Sequence, residues 1–180
     1  EVALGRGVDR VEWTFDPLEA RNARFNLGRL AARGVGYERD LYGGAGGPRY
    51  ALPADRLRVV WRLAAPEVAA AAEGRPAARD AAGAPEVLAC RREAPVPEPG
   101  EPILERGDEY LLVRIPGSIQ ELLAAEDRGA DLEPAARYPA GLAWRFGVRA
   151  ALEHYLARGW RRAGTRAAEG KVWLVLALEE

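Results

Sequence analysis

Several residue types are missing or nearly so from this 180-residue chain. Methionine is absent, and cysteine and histidine occur once each, as Cys90 and His154. A lone cysteine excludes an intramolecular disulfide and fits a reducing, cytoplasmic setting. A lone histidine, with no second cysteine to join it, excludes the usual nitrogen- and sulfur-rich metal centres, so no metal is expected. Lysine is reduced to Lys171, and the remaining basic side chains are arginine, as a compositional bias would produce. With 26 basic and 27 acidic residues the formal net charge is −1. No overall cationic field therefore draws in nucleic acid or an anionic membrane surface. No apolar run approaches the roughly 20 residues needed to span a bilayer. Without methionine at position 1, and with an opening that reads as the end of a helix, the sequence is expected to be a fragment or a processed product.

What is present is the balance of a globular domain with a core: 48% hydrophobic and 29% charged residues. The patterning predicts an α/β (α+β) order. Residues 8–15 read as a strand, with Val11, Trp13 and Phe15 on one face and Glu12 and Thr14 on the other. Residues 16–33 read as a helix, with Asp16 as N-cap, Pro17 in the first turn and Glu19 closing a capping box. Leu18, Ala23, Phe25, Leu27, Leu30 and Ala31 give its apolar stripe, and Gly34 its stop. Residues 35–42 and 56–63 read as a hairpin across a Gly- and Pro-rich loop.

The stretch 64–102, rich in Ala, Pro and Gly, reads as an insertion or loop with one short strand near 86–91. Structure is predicted to resume with a strand at 109–115 and a helix capped by Ser118. A longer helix follows over 138–158, with Leu142, Phe146, Ala150, Leu152, Tyr155 and Leu156 inward, and then a closing hairpin, 160–165 with 172–178. The organisation is thus 1–63, then 64–108 as insertion, then 109–180 as an α/β extension. One faint echo runs through it. At 30–35 and again at 156–160 a helix ends at Arg-Gly and a hairpin follows, a joint too common to establish a repeat.

One block carries more than secondary structure. W-T-F-D-P-L-E-A-R-N-A-R-F-N at 13–26 is followed by D-L-Y-G at 40–43 and L-P-A-D-R-L-R-V-V-W at 52–61. Together they resemble a bacterial family of predicted acetyltransferases of the GNAT superfamily, of uncertain substrate. V-R-I-P at 113–116, and the helix carrying L-A-W-R and ending in A-R-G-W at 157–160, are similar to that family's C-terminal extension. The resemblance implies a GNAT-like mixed sheet with flanking helices. In it 8–15 is the fifth strand, 16–33 the fourth helix, and 35–63 the sixth and seventh strands. It implies acetyl-coenzyme A or another acyl-coenzyme A as co-substrate, its pantetheine arm lying in a gap beside strand 8–15. It also implies a small-molecule amine as acceptor, and it leaves room for a homodimer. The family's pyrophosphate loop, Arg/Gln-x-x-Gly-x-Gly/Ala at a helix N-terminus, is missing from these residues. They are therefore expected to bind coenzyme A poorly by themselves.

The resemblance makes Trp13, Thr14, Arg21, Asn22 and Asn26 the cofactor-lining candidates. Asn22 and Asn26, four apart, are expected to share a helix face, and Arg21 and Arg24 to reach phosphate oxygens or an acidic acceptor. Glu12 is the candidate base for the amine. The tyrosine that often protonates the leaving thiolate in such helices is replaced by Leu27, which makes Tyr37, with Tyr42, the nearest candidate acid. Each has a plainer reading: Glu12 as a surface carboxylate, the helix arginines as solvated, Asp16 as a cap, Asp55 and Arg56 as a local ion pair, and the five tryptophans as core. The implied activity is acyl transfer to an amine by direct attack on the thioester. The alternative is a non-catalytic α/β binding or dimerisation module on the same scaffold.

Overall fold

Residues 2–43, 52–75, 81–127, 129 and 131–178 are described by a computed structural model. Its strands are β1 (Arg10–Phe15), β2 (Arg33–Glu38), β3 (Arg56–Arg62), β4 (Glu86–Leu88), β5 (Cys90–Arg92), β6 (Glu98–Pro99), β7 (Tyr110–Ile115), β8 (Trp160–Ala168) and β9 (Lys171–Leu178). Its helices are α1 (Val2–Gly5), α2 (Ala20–Ala23), α3 (Pro66–Ala72), α4 (Ile119–Glu126), α5 (Pro134–Arg137) and α6 (Pro139–Ala157), and a π-helical turn, Arg24–Arg29, continues α2. The fold is mixed α+β, a sheet flanked by helices.

Seven strands form one sheet in the order β1-β3-β2-β8-β9-β7-β4. Neighbours are antiparallel except β4, which lies parallel to β7. The order contains a repeat. A strand (β1), a helical segment and a hairpin (β2, β3) form one unit, and β7, the helices α4 to α6 and the hairpin β8, β9 form a second. In space the units read β1-β3-β2 and β7-β9-β8, back to back across the β2–β8 seam. Gly34 of β2 pairs with Arg162 of β8 at that seam. The first Arg-Gly joint thus lies at the seam, opposite a residue three beyond the second. β7 has β4 on its outer edge, whereas among the described residues no strand covers the outer edge of β1.

The helices sit over one face of the sheet. Phe15, Leu57, Val59, Val113, Ile115, Leu174 and Leu176 point into a core closed by Leu18, Ala23 and Leu27 on one side and Trp144, Val148, Leu152 and Tyr155 on the other. The opposite face carries a smaller cluster, Leu112, Trp173 and Val175 with Ala81. Trp144, Trp160 and Trp173 are buried, and Trp13 and Trp61 pack half-buried against the core.

Three expectations differ from what forms. The helix expected over 16–33 is only α2 and the π turn. Leu18 N–H does bond Asp16 Oδ1 at 2.9 Å, but the Asp16 carboxylate is also held by Arg145. Glu19 accepts from Gln120 instead of closing the capping box, and α2 begins only at Ala20, without a side-chain cap. On α6 the buried side is Trp144, Val148, Ala151, Leu152 and Tyr155, and Phe146 is 47% exposed beneath Arg149. Trp144 displaces Phe146 because its indole N–H finds the Pro97 carbonyl at 2.9 Å. The stretch 64–102 is more ordered than its composition suggests. Pro66 starts α3, Val68 is buried, and β4 joins the main sheet.

Candidate functional site

Glu12 and Thr14 lie on the face of β1 turned from the main core, opposite Val60 and Arg58 of β3. Glu12 is exposed and paired with Arg10 at 2.7 Å. Trp13 faces the core side, edge-on to Trp61 with ring centroids 6.4 Å apart, and its indole N–H donates to Asn26 Oδ1 at 3.2 Å. Asn26 is 8% exposed, while Asn22 and Arg21 are exposed. The two asparagines therefore do not share a face. Residues 24–29 wind with i→i+5 bonds, so a spacing of four falls short of a full turn.

Tyr37 sits on β2 opposite Leu57, on the core face. Glu12 and Tyr37 are thus on opposite faces of the sheet with β3 between them, and the fold does not bring them together as one acid–base pair. The Tyr37 hydroxyl donates to Asp55 Oδ2 at 2.7 Å. Burial, with the adjacent Asp55 carboxylate, pushes the Tyr37 pKa well above its ordinary value.

Asp55 is the centre of a buried ionic network. It is 0% exposed, accepts two bonds from Arg149 at 2.8 and 2.7 Å, and accepts the Asp40 backbone N–H at 2.9 Å. Burial works against its charge, but the bonds from Arg149, Asp40 and Tyr37 outweigh it and hold the carboxyl below the usual range. One turn earlier on α6, Arg145 forks onto Asp16 at 2.9 and 2.6 Å, with Arg56 at 3.5 Å from the same carboxylate. Asp55 and Arg56 are therefore not a pair with each other: each finds its partner across the fold. D-P at 16–17 and W-R at 144–145 were visible in sequence, but nothing local links positions so distant.

Burial, with the neighbouring Glu93 carboxylate, pushes the Cys90 thiol up, and the thiol donates to the Arg92 carbonyl at 3.0 Å. Among the described residues no group of three or more His, Cys, Asp or Glu side chains could hold a metal. No helix among them is long and apolar enough to cross a membrane.

A cleft of about 770 Å³ lies between the π turn, α3 and the β8–β9 hairpin. Arg21, Arg24, Phe25 and Arg29 stand on one wall, and Thr165 and Ala167 contribute from β8. Asn22, Asn26, Glu12 and Tyr37 lie outside it. The site features thus fall into three places: the open edge of β1, the buried Asp55 network, and this cleft. No family model, curated protein or solved structure matches the chain.

Proposed function

We propose that this chain is the C-terminal part of a GNAT-like, acyl-coenzyme A-dependent N-acyltransferase, with the cofactor's pantetheine arm lying along the outer edge of β1. The observation that supports this most is the pairing of edges within the sheet. β7 carries a parallel strand on its outer edge, and β1, its counterpart in the first unit, leaves the same edge uncovered among the described residues. An uncovered strand presents backbone N–H and C=O groups that an extended amide chain can satisfy, and pantetheine is such a chain. The strand also turns directly into α2, as the resembled family's fifth strand turns into its fourth helix.

In this reading Glu12, exposed beside the edge, takes the amine's proton as the amine attacks the thioester carbonyl; the C–N bond forms, the C–S bond breaks, and coenzyme A leaves as its thiolate and takes a proton from solvent. Backbone groups of β1 orient the thioester. Tyr37, bonded to Asp55, holds the β2–α6 junction and does not reach that edge.

Calorimetric titration of acetyl-coenzyme A into the complete gene product tests the proposal. Saturable binding, weakened by Thr14→Pro, whose backbone N–H points away from β3 to the open edge, and retained in Tyr37→Phe, is the expected result. Absence of heat at millimolar ligand overturns it and leaves the non-catalytic module.

A further inference from the structure

We propose that the cleft between the π turn and α3 binds a phosphate-bearing small molecule through Arg21, Arg24 and Arg29. Several arginines of the fold end on carboxylates, Arg33 on Glu67, Arg39 on Glu153, Arg145 on Asp16 and Arg149 on Asp55. Among the described residues no carboxylate lines this cleft and none pairs with its three guanidiniums. Three like charges gathered on one wall repel one another unless an anion lies between them.

The backbone is arranged to gather them. In an α-helix, residues five apart point in different directions. The i→i+5 bonding of the π turn brings Arg24 and Arg29 to the same side. Gly28 lets the turn lie down on β8, since a Cβ there would come 3.1 Å from Thr165 Oγ1. That leaves the Thr165 hydroxyl in the cleft lining beneath the arginines. The volume, about 770 Å³, is in the range of small-molecule sites. Phe25, 52% exposed, offers an apolar wall beside the charges. A guanidinium fork matches phosphate oxygens in pairs, and a phosphate carries enough charge and acceptors for several forks to converge on it. The cleft lies on the sheet face over β8 and β9, apart from the β1 edge used for acyl transfer, so the two proposals fail separately.

The test is calorimetry of inorganic pyrophosphate, and in parallel of adenosine diphosphate, with the 180-residue chain at low salt. The expected result is saturable binding that Arg24→Gln/Arg29→Gln weakens on the order of tenfold or more. Arg58→Gln, on the other face of the sheet, leaves binding unchanged. Both altered side chains are exposed, and circular dichroism checks that the double variant keeps its fold. Tighter binding of the nucleotide assigns the cleft to organic phosphates, and tighter binding of pyrophosphate assigns it to free phosphates. Absence of binding by either ligand, or equal affinity in the double variant, overturns the proposal.

Discussion

Arg145 and Asp16 are 129 residues apart in sequence and meet through two bonds of 2.9 and 2.6 Å. Arg145 is 2% exposed, so its charge depends on that carboxylate. The pair ties the end of β1 to α6 and thereby locks the first strand–helix–hairpin unit to the second. Asp16→Ala leaves a buried, unpaired guanidinium and should cost about 3–5 kcal/mol, read from urea denaturation. The double variant Asp16→Leu/Arg145→Met should recover most of that loss, because an apolar pair needs no counter-charge.

The Asp55 network predicts how stability depends on pH at both ends. Asp55 has a lowered folded pKa. Its contribution is therefore present above the unfolded value of about 3.9 and is lost as pH falls through the folded one. Tyr37 has a raised folded pKa. Its contribution is present below the unfolded value of about 10 and declines as pH rises beyond it. Asp55→Asn should be less stable at neutral pH and show a shallower acid limb. Tyr37→Phe should flatten the alkaline limb and, by removing one of the bonds that hold the Asp55 carboxyl down, make the acid limb slightly shallower. Thermal melts across pH measure both, and an unchanged alkaline limb in Tyr37→Phe would exclude the role given to its hydroxyl.

Glu126 caps the start of α6 from outside that helix. It is 8% exposed and accepts the backbone N–H groups of Ala140 and Gly141, each at 2.7 Å. Glu126→Ala should cost about 0.5–2 kcal/mol, the range for a lost cap. Gly141→Ala should destabilise as well, since its Cβ would stand 2.6 Å from Leu123 Cδ2 and 2.9 Å from Glu126 Oε1. Overpacking of that kind costs about 1–3 kcal/mol, and a melting temperature equal to wild type would rule out this packing.

The stretch 101–108 has no regular structure, yet it is tethered to α6. Tyr155, 0% exposed, donates to the Ile103 carbonyl at 2.8 Å and accepts the Arg106 N–H at 3.3 Å. Tyr155→Phe should free both groups and cost about 1–3 kcal/mol. Hydrogen exchange at Arg106 should then speed up while the β9 amides stay protected.

Much of the fold was legible because local patterns decide it. Ser118 caps α4 as its position suggests, its Oγ accepting the Glu121 N–H at 3.2 Å. The alternating strands 8–15, 109–115 and 172–178 form where β-branched and aromatic residues recur. The Arg-Gly echo was visible but weak, because a repeated topology shares few residues, and only the mirrored strand orders of the two units expose it. The candidate site was less legible. Arg21 was singled out, but its neighbour in the cleft, Arg29, was not. A four-residue spacing was taken for a shared face, and no sequence signal marked the π winding that breaks it.

The sequence alone determined where most strands form, the capped start of α4, and that no intramolecular disulfide can form, since these follow from composition and short-range spacing. Tertiary structure decided what the polar residues do. Asp16 holds the local Leu18 N–H and the distant Arg145 together, and Asp55, just before β3, is claimed by Arg149. Charge pairing acts through space across packed elements, and its partners are set only once β1, β2, β3 and α6 come together.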